Sequence, residues 1–374
     1  MKYFLGAYLL WVGHVCFAQH PCQDYFTAQV KHYFYEETIP LSANPQEYRI
    51  VMVGERHFVP INTDIHFALI RSYHEMAELD LVLIEYPPSV SFFIQQYLES
   101  GEENLLVKAF QGAPYASYNQ ALFKRIRLLN QKTQSPIQVI GLDLEVGGLA
   151  RPKEIISQLA KHFTAAKAQN DFEAFLNTFE EDRATASTQE SFLKVYDHFR
   201  KKRKKLKKSL GTRFIHLDIL MQNLKNYIPV NPDEMFDMAF QIKRDSFMYH
   251  NLLLIEQEQP FKQAYLAMGA THVEKLTDNN HRRLSHYLAY APDSPFADRL
   301  LTARINYKGF KRDAAGYELR FQEFLDNTGL SLASTKQLFG SKQAPIGVVK
   351  INNPSYACEE KKAFDTLIYL RAKE

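Results

Sequence analysis

The amino-acid sequence predicts an α/β fold in which a mostly parallel β-sheet is flanked by helices and carries a helical insertion. Two observations support this prediction. Short apolar runs alternate with longer stretches in which apolar residues recur at helical spacing, as expected for buried parallel strands joined by helices. In addition, four of these runs end in ionisable residues, and the ligand crevice of such a sheet lies beyond the carboxyl ends of its strands.

The size and composition of the chain limit the classes of function that it can have. Its 374 residues suit one large α/β domain with an insertion, or two domains. Hydrophobic residues make up 46% of the chain and aromatic residues 13%, which is ample for a packed core. The formal net charge of +3 is too small to indicate nucleic-acid binding, and no DNA- or RNA-binding motif is present. We therefore expect a small-molecule substrate and no nucleic-acid partner, with the oligomeric state left open.

The first 18 residues have the features of a secretory signal peptide. Lys2 supplies a positive charge, and the stretch 4–17 is mostly apolar. Ala18 offers a small residue for cleavage before Gln19. The apolar stretch is too short for a stable membrane span. We therefore expect a mature protein that is secreted or periplasmic.

Two cysteines remain after the predicted cleavage, because Cys16 leaves with the signal peptide. Cys22 and Cys358 lie at opposite ends of the mature chain. In an oxidising compartment such a pair can form a disulfide. Two unrelated thiols are the alternative.

Residues 19–150 are predicted to form the first part of the α/β domain. A helical pattern covers 24–35. Strands rich in Val, Ile and Leu then alternate with helices, and in the first of these helices Ile65, Leu69 and Tyr73 recur at the spacing of one helix face. Right-handed crossovers would make the strands parallel. The predicted strands are 48–53, 81–84 and 137–143, and the predicted helices between them are 64–78, 89–99 and 118–130.

The alternation of strands and helices stops after the third strand. The following segment is polar and helix-rich and has no strand signal, so 151–230 is predicted to be a helical insertion over the mouth of the crevice. Pro229 and Pro232 mark its end. Residues 231–374 then complete the α/β domain. Its predicted elements are a helix at 232–258 and strands at 264–269, 347–351 and 365–370.

A basic run at 200–208 lies within the predicted insertion. Phe192, Phe199 and Leu206 recur at helical spacing through this region, so the helix has an apolar side to bury. A solvated helix face is therefore the simpler interpretation of the charges. Attraction to an anionic surface is the alternative.

Ionisable residues follow four different predicted strands. These residues are Glu55, His57, Glu85, Asp143 and His272. Because the carboxyl ends of parallel strands meet at one edge of a sheet, we expect these groups to converge although they lie far apart in sequence. A cluster of carboxylates and imidazoles suggests proton transfer, water activation or metal binding.

Histidine chemistry is the most direct interpretation of the first strand end. His57 can take a proton near neutral pH, and Glu55 or Glu85 can orient its ring. Arg244, on the helix before the fourth of these strands, can clamp a carboxylate or stabilise an oxyanion. A salt bridge that fixes this helix to the sheet is an equally good interpretation of Arg244.

Three further polar residues are candidates for substrate binding. Asp143 lies nearest the end of its strand, whereas Asp245 and Asn251 lie on the same helix as Arg244. The sequence has no Gly-x-Ser-x-Gly elbow, phosphate loop or dinucleotide fingerprint. No histidine pair has a convincing metal-ligand spacing. The sequence therefore predicts neither a serine nucleophile nor a dedicated metal motif.

These residues, in this order, resemble the erythromycin esterase-like proteins and the related ChaN-type haem-binding lipoproteins, within a broader group that includes TraB/TIKI-like proteins. The likeness spans roughly residues 48–145 and 240–275. The pieces that carry it are 53–57 (Val-Gly-Glu-Arg-His), Glu85, 141–143 (Gly-Leu-Asp), Arg244, Asp245, Met248, Asn251 and 269–272 (Gly-Ala-Thr-His).

In the esterases, this resemblance implies a histidine of the first motif that activates water to open a macrolide lactone. A glutamate at the second strand end and a later histidine support it. These roles correspond to His57, Glu85 and His272. One departure concerns the spacing, because only Arg56 separates Glu55 from the histidine, where the macrolide esterases usually have two residues. The shorter form is closer to the ChaN-like branch and leaves the substrate open.

The leading hypothesis is therefore an exported, erythromycin esterase-like hydrolase that cleaves an ester or lactone-type bond. His57 would act as general base toward water, oriented by Glu55 or Glu85. His272 and Arg244 would stabilise the oxyanion or protonate the leaving group. This mechanism needs no covalent intermediate, cofactor or metal.

Two alternatives use the same crevice. A ChaN-like protein would bind a ligand such as haem there without hydrolysing it. A metal-dependent hydrolase would ligate a divalent ion with His57, Glu85, Asp143 and His272.

Overall fold

An eight-stranded, mostly parallel β-sheet forms the centre of the part of the chain that the structure describes, which confirms the predicted α/β fold. The structure is a computed structural model. It describes residues 30–111, 116–145, 149–180, 183–184, 187–226, 238–275, 282–308, 344–350 and 364–371. The predicted signal peptide, Cys22 and Cys358 lie outside these residues.

The sheet consists of β1 (Lys31–Tyr33), β2 (Ile50–Glu55), β3 (Leu81–Ile84), β4 (Gln138–Gly141), β7 (Ala264–Gly269), β8 (Leu300–Lys308), β9 (Ile346–Lys350) and β10 (Thr366–Arg371). A separate antiparallel pair consists of β5 (Phe179–Glu180) and β6 (Arg183–Ala184). The spatial order of the large sheet is β1-β9-β10-β8-β2-β7-β3-β4. Neighbours are parallel from β10 to β4, and β9 runs antiparallel to both β1 and β10.

Helices flank the sheet. They are α1 (Asn62–Ala77), α2 (Pro88–Ser100), α3 (Glu103–Ala109), α4 (Ala116–Asn130), α5 (Ala150–Ala160), α6 (Ala166–Leu176), α7 (Thr188–Leu210), α8 (Phe214–Asn226), α9 (Met238–Glu258), α10 (Ala270–Val273) and α11 (Leu284–Tyr290). Single 3-10 turns lie at Pro45–Glu47, Gly211–Arg213 and Ala297–Arg299. Within the described residues, no helix combines the length and the apolar character that a membrane crossing needs.

Both faces of the sheet are buried, which explains why its strands have continuous apolar sequences. On β2, Val51 and Val53 pack on the face covered by α1, α2 and α4, whereas Ile50 and Met52 pack on the face covered by α9. Met248, Leu252 and Ile255 of α9 are fully buried there. Fully burying an aliphatic side chain of this size contributes about 1.5–3 kcal/mol, so the two faces hold the strands firmly in register.

The strand order places the site. β7 lies between β2 and β3, although β3 and β4 come long before it in the sequence. All four strands are parallel, so their carboxyl ends form one continuous edge. The residues that follow β2, β3, β4 and β7 are therefore neighbours in space.

Two strands differ from the sequence prediction. The predicted helix at 24–35 is wrong for its described part, because Lys31–Tyr33 pairs antiparallel with β9. A three-residue segment has little local preference, and the open edge of β9 determines its conformation. The central strand β8 was not predicted, because Thr302, Arg304 and Asn306 interrupt its apolar run.

The described part of the predicted insertion contains α5 to α8 and the β5–β6 pair. That pair corrects the expectation of a segment without strands, although it does not join the large sheet. The basic run lies on α7, where Arg203 pairs with Asp218 and Glu258, and Lys207 also pairs with Glu258. The exposed lysines of the run agree with a solvated helix face, whereas Arg203 reaches a buried carboxylate.

Candidate active site

The structure brings the five strand-end groups together, with Glu85 at their centre. One carboxylate oxygen, Oε1, accepts a hydrogen bond from Arg244 Nη2 at 2.6 Å and lies 3.2 Å from His272 Nε2. The other, Oε2, accepts a hydrogen bond from the backbone N–H of Gly269 at 2.6 Å and lies 3.5 Å from His57 Nε2. Glu85, which follows β3, therefore connects residues at the ends of β2 and β7 with a residue of α9.

Arg244 joins two of the carboxylates. Its Nε donates to Asp143 Oδ1 at 2.7 Å and its Nη2 to Asp143 Oδ2 at 2.5 Å, which is the bidentate geometry that guanidinium groups favour. The same Nη2 also reaches Glu85. Both interpretations of Arg244 thus have a structural basis, because it fixes α9 to the sheet edge and also lines the cavity at that edge.

His272 is held behind Glu85 as a buried cation. Its Nδ1 lies 2.7 Å from Asp245 Oδ1, and its side chain is only 4% exposed. Burial alone disfavours the imidazolium, but the charges of Glu85 and Asp245 outweigh it and raise the pKa of His272 to about 10. The guanidinium of Arg244 repels this cation, because Arg244 Nη1 lies 3.5 Å from His272 Nε2.

Glu55 holds His57 from the other side. His57 Nδ1 lies 3.1 Å from Glu55 Oε1, and His66 Nε2 lies 2.7 Å from Glu55 Oε2. His66 in turn lies 2.6 Å, through Nδ1, from the hydroxyl of Tyr265 on β7. A hydrogen-bonded chain therefore runs from the buried tyrosine to the exposed histidine. Sequence reasoning missed His66, whose only signal was a polar residue beside the apolar stripe of α1.

Ion pairing sets the protonation of Glu55, Glu85 and His57. Burial raises the pKa of Glu55 and of Glu85, but hydrogen bonds and charges from the neighbouring cations outweigh it and lower both pKa values, that of Glu85 strongly. Burial also opposes the charged form of His57, yet hydrogen bonds to Glu55 and Glu85 raise the pKa of His57 to about 10. The side chain of His57 is 45% exposed, so solvent screens its pairs more than those of His272.

A cavity of about 450 Å³ opens on this cluster. Its polar floor includes His57, Glu85, Asp143 and Arg244. Its walls include the apolar or aromatic side chains of Phe58, Val59, Val90, Ala109, Leu122 and Phe123. The cavity is large enough for a small organic molecule whose reacting polar group lies on the floor.

The predicted substrate-binding residues do not all reach this cavity. Asp143 lines it, whereas Asp245 and Asn251 do not. Asp245 instead contacts His272 and accepts the backbone N–H of Leu284 at 2.9 Å. Asn251 donates to the carbonyl of Leu142 at 2.7 Å and so supports the loop that carries Asp143. Both residues therefore act in the structure as supports behind the cavity.

The donor set does not fit a metal ion. The Arg244 guanidinium already occupies the position between Glu85 and Asp143, and a second cation there would be repelled. His272 is itself paired with two carboxylates. Within the described residues, no group of three or more His, Cys, Asp or Glu side chains has an arrangement that could hold a metal.

Gly269 leaves room for the exposed histidine. A Cβ atom at this position would lie 2.7 Å from His57 Nε2 and 3.2 Å from Glu85 Oε2. The first distance is too short for a real Cβ contact. The glycine that ends β7 is therefore part of the site. Because it has no side chain, His57 can lie close to the backbone N–H of Gly269 that donates a hydrogen bond to Glu85.

Comparison with known proteins gives a likeness of fold. No protein-family profile and no curated protein matches the sequence. Among solved structures, a protein from Bacillus cereus is 15% identical with a TM-score of 0.65, covering 94% of this chain and 97% of its own. A succinoglycan biosynthesis protein is 9% identical with a TM-score of 0.67, again covering 94% and 97%.

A mutant of the erythromycin esterase EreC, in its open conformation, is 14% identical with a TM-score of 0.59. The match covers 87% of this chain and 91% of the esterase. This likeness agrees, at the level of the fold, with the resemblance carried by the sequence motifs. The chain thus shares its fold over most of its length with an erythromycin esterase.

Proposed function

We propose that this protein is an exported hydrolase that uses His57 to activate water against an ester or lactone-type bond. The observation that carries the proposal is the position of His57. Its ring is 45% exposed at the cavity floor and is held at Nδ1 by Glu55, whereas the side chains of His66 and His272 are 3% and 4% exposed. Export rests on the N-terminal sequence, and N-terminal sequencing of the mature protein should find Gln19 first.

The proposed reaction needs only groups that the cavity contains. His57, as neutral imidazole, takes a proton from water through Nε2 while the water attacks the carbonyl carbon. The carboxylate of Glu55, which lies against Nδ1, stabilises the imidazolium that results. Arg244, at the cavity floor, stabilises the oxyanion of the tetrahedral intermediate. The imidazolium then returns the proton to the leaving alkoxide, and a carboxylic acid and an alcohol result.

His272 takes a different part in this proposal from the one that the sequence suggested. It does not line the cavity, and Glu85 lies between it and His57. It therefore positions Glu85 rather than contacting the oxyanion. Together with Arg244, its positive charge keeps Glu85 ionised, as the lowered pKa of that carboxyl indicates.

The raised pKa of His57 predicts how turnover depends on pH. A pKa of about 10 means that the imidazolium dominates near neutral pH, and only the neutral ring can accept a proton from water. We therefore expect kcat, corrected for spontaneous hydrolysis, to rise with pH throughout the range below the pKa and to level off only above it. Initial rates measured across the range from pH 6 to 10 check this. A kcat that falls over the same range would show that the imidazolium is the active form.

A substitution at Gly269 tests whether the placement of His57 matters. In Gly269→Ala the new methyl group should push His57 out of its position, because the contact with Nε2 is too close. A displacement on the order of 1 Å can cost on the order of 10²-fold in rate, so we expect a loss of kcat of that size. Thermal unfolding should change little, since the ring can move toward solvent. Unchanged kcat would contradict the proposed position of the base.

A substrate panel separates the proposed function from its alternatives. Purified protein should hydrolyse members of a panel of esters and lactones, and a chelator should not stop the reaction. Loss of activity with chelator would favour a metal-dependent hydrolase. Absence of turnover together with a shifted Soret band after addition of hemin would favour a ligand-binding protein.

A further inference from the structure

A second arginine lines the cavity and forms no salt bridge in the part of the chain that the structure describes. Arg151 lies near the start of α5 and contributes to the cavity wall. Its Nη1 donates to the carbonyl of Gln111 at 3.2 Å. Its Nε is buried and has no hydrogen-bond partner among the described residues. A buried N–H donor without a partner is costly, which suggests that something else completes its hydrogen bonding.

The other charged side chains of the cavity are already paired. Arg244 is bound to Glu85 and Asp143, and His57 lies against Glu55 and Glu85. Arg151 differs from both, because its one described hydrogen bond is to a neutral carbonyl.

Glu145 is the carboxylate that senses the charge of Arg151, which acts to lower its pKa against the larger effect of burial, but no ion pair within 4 Å joins the two side chains. Both oxygens of Glu145 accept hydrogen bonds from Ser89, one from the backbone N–H at 3.0 Å and one from the hydroxyl at 2.6 Å. Burial raises the pKa of Glu145 to about 7, so its negative charge is incomplete at neutral pH. The chain next to Gln111 and before α5, at 112–115 and 146–148, contains no acidic residue.

From these observations we propose that Arg151 binds an acidic group of the ligand, and that the substrate is an ester or lactone that also carries a carboxylate. The planar guanidinium presents paired N–H donors that match a carboxylate. The apolar side chains of the same cavity suit a hydrocarbon body. The inference about the substrate rests on the proposed hydrolase function, whereas the binding of an acidic group by Arg151 does not.

A matched pair of chromogenic substrates tests the proposal. One is the mono-4-nitrophenyl ester of a dicarboxylic acid, made with chains from succinate to suberate. The other is the same compound with its free acid capped as a methyl ester, and release of nitrophenolate is followed for both. We expect the wild-type protein to prefer the acid form at one or more chain lengths.

Two variants assign that preference to Arg151. Arg151→Gln removes the charge at similar size and should raise KM for the acid substrate on the order of ten- to a hundredfold, the range expected for a hydrogen bond to a charged group. KM for the capped substrate should change little, and kcat should be retained for both. Arg151→Lys should restore part of the preference. Lys167→Gln, which removes an exposed charge on α6, controls for the change in net charge.

Direct binding keeps this proposal separate from the hydrolase proposal. Calorimetric titration with the free dicarboxylates measures affinity without turnover. Binding that is lost in Arg151→Gln, with no ester hydrolysed by any form, would support the acid site and refute the hydrolase. Hydrolysis of both esters with the same KM in wild type and Arg151→Gln would overturn the acid site and leave the hydrolase standing. Absence of both binding and acid preference would also overturn it.

Discussion

Replacing His57 by alanine is expected to lower kcat for ester or lactone hydrolysis on the order of 10²–10⁴-fold, the range that a general base contributes. The protein should stay folded, because the side chain is 45% exposed and belongs to neither buried cluster of the sheet. Steady-state kinetics and thermal unfolding of the same preparation measure the two effects. KM should change less than kcat, since the lost interaction belongs to the transition state.

An exposed histidine provides the control for this substitution. His162, just after α5, is exposed and does not line the cavity, so His162→Ala should leave both kcat and stability unchanged. If His57→Ala retained wild-type turnover, water would have to be activated by another group and the proposed mechanism would fail. A drop in stability that matched the drop in rate would instead show that His57 supports the fold.

Replacing Arg244 by alanine is expected to have the largest effect on stability. The substitution leaves Glu85 and Asp143, which are 8% and 3% exposed, without their shared cation. Breaking a buried ion pair from one side costs about 3–5 kcal/mol, so the free energy of unfolding should fall by that order at neutral pH. Denaturation with urea measures the change. Turnover per folded molecule should fall as well, because oxyanion stabilisation is lost.

The pH dependence of that loss has a defined sign. In the wild type, the pKa of Glu85 is well below that of a free glutamate, so its ionised form contributes stability above the unfolded pKa. This contribution is lost as pH falls through the folded pKa. His272 and Arg244 both lower this pKa, and Arg244→Ala removes the part that Arg244 supplies. The difference in stability between the two proteins should therefore shrink as the pH falls below the pKa of a free glutamate. A difference that stayed constant would contradict this account.

Arg203 offers a matched control for Arg244. It pairs with Asp218, whose side chain is fully buried, and with Glu258, away from the cavity. Arg203→Ala should therefore also destabilise the protein while leaving turnover per folded molecule intact. If both arginine variants lost stability and neither lost turnover, Arg244 would be a structural ion pair only.

Much of the site could be anticipated from sequence because it follows from strand direction. Each of Glu55, Glu85 and Asp143 stands at the end of an apolar run, and parallel strands bring such ends to one edge. Other features left weaker traces. His66 looks like an ordinary helix residue, since its contact with Glu55 depends on the angle between α1 and the sheet. Arg151 lies in the predicted insertion, where no motif marks it.

By itself, the sequence determined the α/β class, most strands of the sheet and the set of residues at their ends. The reason is that an apolar run buried on both faces, and the polar residues that end it, are visible in the local sequence. Only the tertiary structure decided which partner each group takes. The insertion of β7 between β2 and β3 brings Glu85 against both His57 and His272, and the seating of α9 places Arg244 between two carboxylates. The order of the strands and the position of each helix against the sheet are set by contacts between segments that are distant in the sequence. For this reason the protonation of His57, which depends on those contacts, could not be read from residue types and spacing.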